Sequence, residues 1–103
     1  MATQLFVYYR VPKAEISLGL ACAAELIKAL EDNNLGTAKL YQREEADKPY
    51  FTLMEVITPT ATYAADHLEA FAGKIEQLAV ICFSSVPNPP SRHVEVFSKL
   101  PLA

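Results

Sequence analysis

The chain has 103 residues, 51% of them hydrophobic and 20% charged, with a formal net charge of −3. That length predicts one domain spanning residues 1–103 with a shallow core, and the apolar fraction excludes a disordered chain. There is no Lys/Arg run or basic stripe, and no apolar run approaches the ~20 residues that cross a bilayer, so neither nucleic acid nor membrane is expected as a partner.

Residues 4–11, QLFVYYRV, are rich in Val, Phe and Tyr and read as a strand ending at Pro12. The N-terminal MATQLFVYYR thus reads as structure rather than as a basic and then apolar leader, and a cytoplasmic location is expected. From Lys13 to Asp32, apolar residues Ile16, Leu20, Ala23, Ile27 and Leu30 recur at helical spacing, and Asn33, Asn34 and Gly36 can end the helix. A second strand is predicted over 37–44, a turn at EADKP, and a third strand over 50–57. Thr58 or Thr60 suits an N-cap, and Ala64, Leu68, Phe71, Ile75, Leu78 and Cys82 predict a second helix over about 60–83. SSVPNPPS forms a rigid connector, and the fourth strand is about 92–98.

The order is βαβ followed by βαβ. It predicts an α+β, ferredoxin-like βαββαβ sandwich with antiparallel sheet order 4-1-3-2 and both helices on one face. Alternation sorts the strands. Leu5, Val7, Tyr9, Val11, Leu40, Thr52, Met54, Val56, Val94 and Val96 are expected under the helices. The other face would mix Phe6, Phe51, Leu53, Ile57 and Phe97 with Tyr8, Tyr41, Arg10, Arg43, Glu55, His93 and Glu95. Such a face is too apolar to leave open and too charged to seal, and a homodimer formed through it is the economical solution. A hairpin turn near residue 47 would set Arg43 opposite Phe51, Tyr41 opposite Leu53 and Lys39 opposite Glu55. Arg10 would lie near His93, and Tyr8 near Glu95.

The segments LFVYYRV, TLMEVI and RHVEVF together resemble an uncharacterised family of short bacterial proteins in the dimeric α/β-barrel superfamily. The chain departs from that family at Leu53, where the family carries an aromatic, and in the approach VPNPPSRH. The resemblance implies the fold and a dimer but no activity. The wider superfamily includes cofactor-free monooxygenases, muconolactone isomerases, haem-dependent enzymes and non-catalytic stress proteins, and fold does not choose among them.

Two readings of the mixed face stand side by side. In the first, the face binds a small anionic or aromatic organic molecule, with cofactor-free chemistry of the monooxygenase or isomerase kind. His93, Glu95 and Glu55 are then the candidate acid–base groups, and Arg10, Tyr8, Arg43, Tyr41 and Phe97 the candidate ligand contacts. In the second, the protein is a non-catalytic dimeric module whose charges, such as Arg10 with Glu95 or Glu55, are structural ion pairs. No cofactor is expected. A facial metal triad needs a second His, and His67 belongs to the second helix; haem would have only His93 as its proximal ligand. Cys22 and Cys82 read as small apolar residues, and Tyr9 as a core residue whose hydroxyl reaches a helix-end partner.

Overall fold

A computed structural model describes residues 3–60 and 67–102. In chain order the elements are β1 (Thr3–Pro12), a single 3-10 turn (Lys13–Glu15), α1 (Ile16–Asp32), β2 (Gly36–Glu44), β3 (Tyr50–Pro59), α2 (Leu68–Cys82) and β4 (His93–Ser98). The strands form one four-stranded antiparallel sheet in the order β2-β3-β1-β4. This is the expected ferredoxin-like α+β topology.

Leu5, Val7, Tyr9 and Val11 of β1 pack into one core with Leu26 and Leu30 of α1 and Phe71 and Ile75 of α2. Both helices therefore cover the same side of the sheet. The shortest dimension of the molecule is 18 Å, enough for one helical layer on a sheet but no third layer.

Local chemistry explains the boundaries. Helix α1 ends in a Schellman motif, in which Leu35 N–H donates to Leu30 O at 2.8 Å and Asn34 N–H to Glu31 O at 3.0 Å. Asn34 carries the positive φ of 54° that this ending requires, and Leu35 tucks into the core. Gly36 follows at once because a Cβ there would run into the Thr58 carbonyl of β3. The buried stripe of α1 is Gly19, Cys22, Ala23, Leu26 and Leu30, rotated from the predicted one, with Ile16 and Leu20 at its margin. Gly19 lies against the Val11 side chain, so the helix sits low on β1 and turns Cys22 and Leu26 inward.

Strand β3 runs on to Pro59, so Thr58 is a strand residue and not a helix cap. The Thr60 amide donates back to Leu35 O at 2.9 Å. Residues 61–66, including Ala64 of the predicted stripe, lie outside the described residues. Phe71 and Ile75 are buried as expected, joined by Ala79, Phe83 and Val86.

The larger correction concerns β3. Leu5 pairs with Ile57, Val7 with Glu55 and Tyr9 with Leu53, and directly opposed residues share a face. Leu53, Glu55 and Ile57 therefore lie under the helices, whereas Thr52, Met54 and Val56 face away from them. The β2–β3 register is correspondingly one residue from the expected one: Arg43 pairs with Thr52, Tyr41 with Met54 and Lys39 with Val56. A shift of one residue exchanges every side chain between the faces. On β4, Val94 and Val96 do face the helix side, opposite Val7 and Leu5. They stay 37% and 49% exposed because neither helix reaches over this edge strand.

Candidate functional site

The observed register organises the face opposite the helices into rows. Arg43, Thr52 and Arg10 form the first across β2, β3 and β1. Tyr41, Met54, Tyr8 and His93 form the second. Lys39, Val56, Phe6 and Glu95 form the third, and Thr37, Thr58, Gln4 and Phe97 the last. Successive rows are two residues apart along each strand, about 7 Å.

The rows set specific contacts. Tyr8 and His93 stack with ring centroids 5.2 Å apart and planes at 22°. The Tyr8 hydroxyl donates to Glu95 Oε1 at 3.1 Å. Phe6 and Phe97 meet edge to face at 5.1 Å. Gln4 Nε2 donates to Thr58 Oγ1 at 3.1 Å, tying the last row together. Arg10 lies over the Tyr50 ring, its Cζ 4.6 Å from the centroid. Arg43 Nε makes an exposed 3.4 Å ion pair with Glu45, a weak tie at that exposure. The hydrogen bond to Glu95, and then the carboxylate's charge, raise the Tyr8 phenol above the usual tyrosine range.

Beside a hollow of about 550 Å³ over Phe6, Lys39, Val56 and Thr58, two adjoining hollows cross this face. One, of about 330 Å³, is lined by residues that include Arg10, Arg43, Ser91 and His93. The other, of about 470 Å³, is bordered by Tyr41, Met54 and Glu95. Both include Tyr8, Arg43 and Thr52, so they form one trough. Tyr41 and Phe97 are 51% and 54% exposed on it.

Of the residues predicted for this site, Arg10, Tyr8, Arg43, Tyr41, His93, Glu95 and Phe97 share the open face. The pairing differs in detail. His93 lies opposite Tyr8 rather than Arg10, and Glu95 opposite Phe6, although the Tyr8 hydroxyl still reaches Glu95 diagonally. Arg10 makes no ion pair with Glu95 or Glu55; its described partner is Tyr50.

Glu55 is not on this face. It is 1% exposed and its side chain lies under the helices, held by Arg92. Arg92 Nη2 donates to Glu55 Oε1 at 2.8 Å and Nη1 to Oε2 at 2.9 Å, a two-bond fork. Arg92 Nε donates to both oxygens of Glu76 of α2 at 3.1 Å. The Tyr9 hydroxyl adds a 2.6 Å bond to Glu55 Oε2, and the guanidinium rests near the Tyr9 and Phe83 rings. Burial would by itself lower the Arg92 pKa, but the bonds and charge of Glu55 outweigh it and raise the value. Desolvation, then the Glu55 charge, push the Tyr9 phenol far above its ordinary range. Tyr9 is thus the core residue expected, with its hydroxyl partner on β3 instead of at a helix end.

Arg92 was absent from the predicted site, yet the sequence carried a signal for it. It has the same strand parity as Val94 and Val96, and a charge on the helix side demands a buried partner of opposite sign. Among the described residues no three metal-ligating side chains converge. Cys22 is buried, its Sγ 3.5 Å from Ser85 Oγ, and Cys82 is half-buried, with burial raising its thiol pKa.

The topology defines a ferredoxin-like α+β protein. No protein-family model matches the sequence, and no curated protein matches it. Among solved structures, the designed protein Foldit4 superposes with a TM-score of 0.61 and 8% identity, over 97% of this chain and 100% of that one. That likeness speaks to the fold alone. Two natural chains align at a TM-score of 0.45, too distant to carry an argument. One is a conserved protein of unknown function from Bacteroides thetaiotaomicron, described as a possible oxidoreductase (17% identity, 93% of this chain and 95% of that one). The other is Rv0793 from Mycobacterium tuberculosis (16% identity, 100% of this chain and 99% of that one). No helix among the described residues is long and apolar enough to cross a membrane.

Proposed function

We propose that the protein is a cytoplasmic homodimer whose open sheet faces meet, as the resemblance to the dimeric α/β-barrel family implies, and that it holds a small anionic organic molecule in the trough over Tyr8. The observation that carries this reading is the composition of the open face. The chain is net negative at −3, yet the rows of this face hold Arg10, Arg43 and Lys39 against Glu95 alone. The same face leaves Phe97 and Tyr41 about half exposed beside Phe6, Met54 and Val56. An apolar floor with a cationic border suits an organic anion and a covering partner.

With Glu55 under the helices, the groups able to move a proton at the trough are Glu95, His93 and Tyr8. Glu95 accepts the Tyr8 hydrogen bond and serves as base, and His93 serves as the partner acid, an arrangement suited to cofactor-free proton transfer on a bound ligand.

The test combines oligomeric state with binding. Light scattering should give twice the chain mass. A screen of small aromatic and anionic compounds by NMR should shift the His93 resonances. His93→Ala with Glu95→Gln should keep fold and dimer while abolishing the shifts that the same compounds cause at the Tyr8 ring, a probe the variant retains. A monomer at high concentration refutes the dimer.

A second reading is supported by the Arg92–Glu55–Glu76 cluster, in which charges of this chain pair with one another beneath the helices. In it the protein is a non-catalytic dimeric module. It predicts that the same double variant loses the dimer or melting temperature, and that no compound in the screen shifts His93.

A further inference from the structure

We infer that the trough recognises its ligand at two ends, and that the ligand class is a planar aromatic carboxylate carrying an O–H or N–H donor at its far end. This deepens the proposed function and rests on it.

The rows divide the labour. Arg10 and Arg43 flank Thr52 in the first row, so two guanidinium groups border one end of the aromatic row. Arg10 has no ion pair among the described residues, and Arg43 has only its exposed tie to Glu45. Guanidinium groups so placed match a carboxylate, which accepts paired N–H donors.

The second row offers ring faces and a thioether. Tyr8 and His93 are stacked, so each covers one face of the other. Met54 and Tyr41 follow Tyr8 in the same row toward β2, and the three border one hollow. A planar ring fits a slot between aromatic side chains beside a thioether better than a branched aliphatic chain.

Beyond the ring, the Glu95 carboxylate leans from the third row toward the second, because the Tyr8 hydroxyl reaches it at 3.1 Å. One oxygen, Oε1, takes that bond, and a carboxylate has lone pairs left to accept another donor. A ligand ending in a second carboxylate would meet repulsion here. The ends are one to one and a half rows apart along the strands and about two strands apart across the sheet, which together give about 12–14 Å. That span, less a hydrogen bond of about 3 Å at each end, fits a substituted benzoate or cinnamate.

The experiment uses the full chain and three probes: para-hydroxycinnamate, cinnamate, which lacks the donor, and para-vinylphenol, which lacks the acid. Affinity is read from NMR titrations that follow Tyr8 and His93. Para-hydroxycinnamate should bind at least about tenfold more tightly than either truncated probe, the loss expected for one charge-assisted hydrogen bond. Arg10→Met with Arg43→Met should remove its advantage over para-vinylphenol, and Glu95→Gln most of its advantage over cinnamate. The comparison on the unaltered protein decides the matter even if a variant misfolds. Equal affinity for all three probes overturns two-ended recognition and leaves the proposed function standing. So does failure of all three when other compounds in the screen do shift His93. If no compound shifts it, both fall together.

Discussion

Replacing Arg92 by Met is the sharpest test of how this fold holds its charges. Arg92 and Glu55 are 7% and 1% exposed at the side chain, so removing the guanidinium strands a carboxylate with only the Tyr9 hydroxyl to bond it. Breaking a buried pair from one side costs about 3–5 kcal/mol, whereas replacing both partners by apolar groups is often near neutral. Against a total stability of about 5–15 kcal/mol this is a large fraction. For a chain of about 100 residues it lowers Tm by on the order of 15–30 °C. The companion Arg92→Met with Glu55→Leu should lose under about 2 kcal/mol, since no buried charge is left over. Urea titrations of both variants give the two numbers. The single variant should recover part of its deficit in acid, where a proton on the stranded carboxyl removes its charge. Because every residue of β4 is exposed, amide exchange in β4 should accelerate before that of β1 or β3. If the single variant loses less than about 1 kcal/mol, or if both variants lose the same amount, the buried pair is not what secures this end of the sheet.

Other outcomes follow from the same contacts. The folded Tyr9 phenol resists ionising while the unfolded one titrates near its ordinary value of 10.0, so stability contributed below that pH is lost as pH rises through and beyond it. Alkaline unfolding curves of Tyr9→Phe should show a shallower decline. Tyr8 and Tyr9 should ionise late in an ultraviolet titration, and Glu95→Gln should return Tyr8 toward the ordinary range while leaving Tyr9 raised. Gly36→Ala should destabilise by about 1–3 kcal/mol in chemical denaturation, because its Cβ meets backbone. Gly73→Ala, on the exposed side of α2 with open space around it, should stabilise by about 0.5–1 kcal/mol in the same assay.

Much of the site could be read from alternation along single strands. On β1, Leu5, Val7, Tyr9 and Val11 carry no charge and only one polar group, whereas the alternates include Gln4, Tyr8 and Arg10, so the buried side is evident without any partner. On β4, Val94 and Val96 contrast with His93 and Glu95 in the same way. On β3 the contrast fails. Thr52, Met54 and Val56 look nearly as suited to a core as Leu53, Glu55 and Ile57, and the Glu argues for the wrong side. Its burial is made favourable by Arg92, 37 residues away along the chain, and by the Tyr9 hydroxyl, 46 residues away. Periodicity within a strand carries no information about such partners. The β1–β4 register differs from the expected one by two residues because no tight turn joins those strands, and the loop ahead of β4 leaves the alignment to be set by Arg92 reaching Glu55 and Glu76.

The sequence by itself determined the order of elements and hence the topology, since helical and strand periodicities, the Asn33–Asn34 ending and the prolines are local signals. It also determined that one sheet face would be mixed in character, because the alternation of β1 and β4 needs nothing beyond those strands. Only the tertiary structure decided which carboxylates share that face. A buried charge is stable only beside its counter-charge, and the fork of Arg92 on Glu55 draws that residue beneath the helices. Glu95 is then the carboxylate beside Tyr8 and His93.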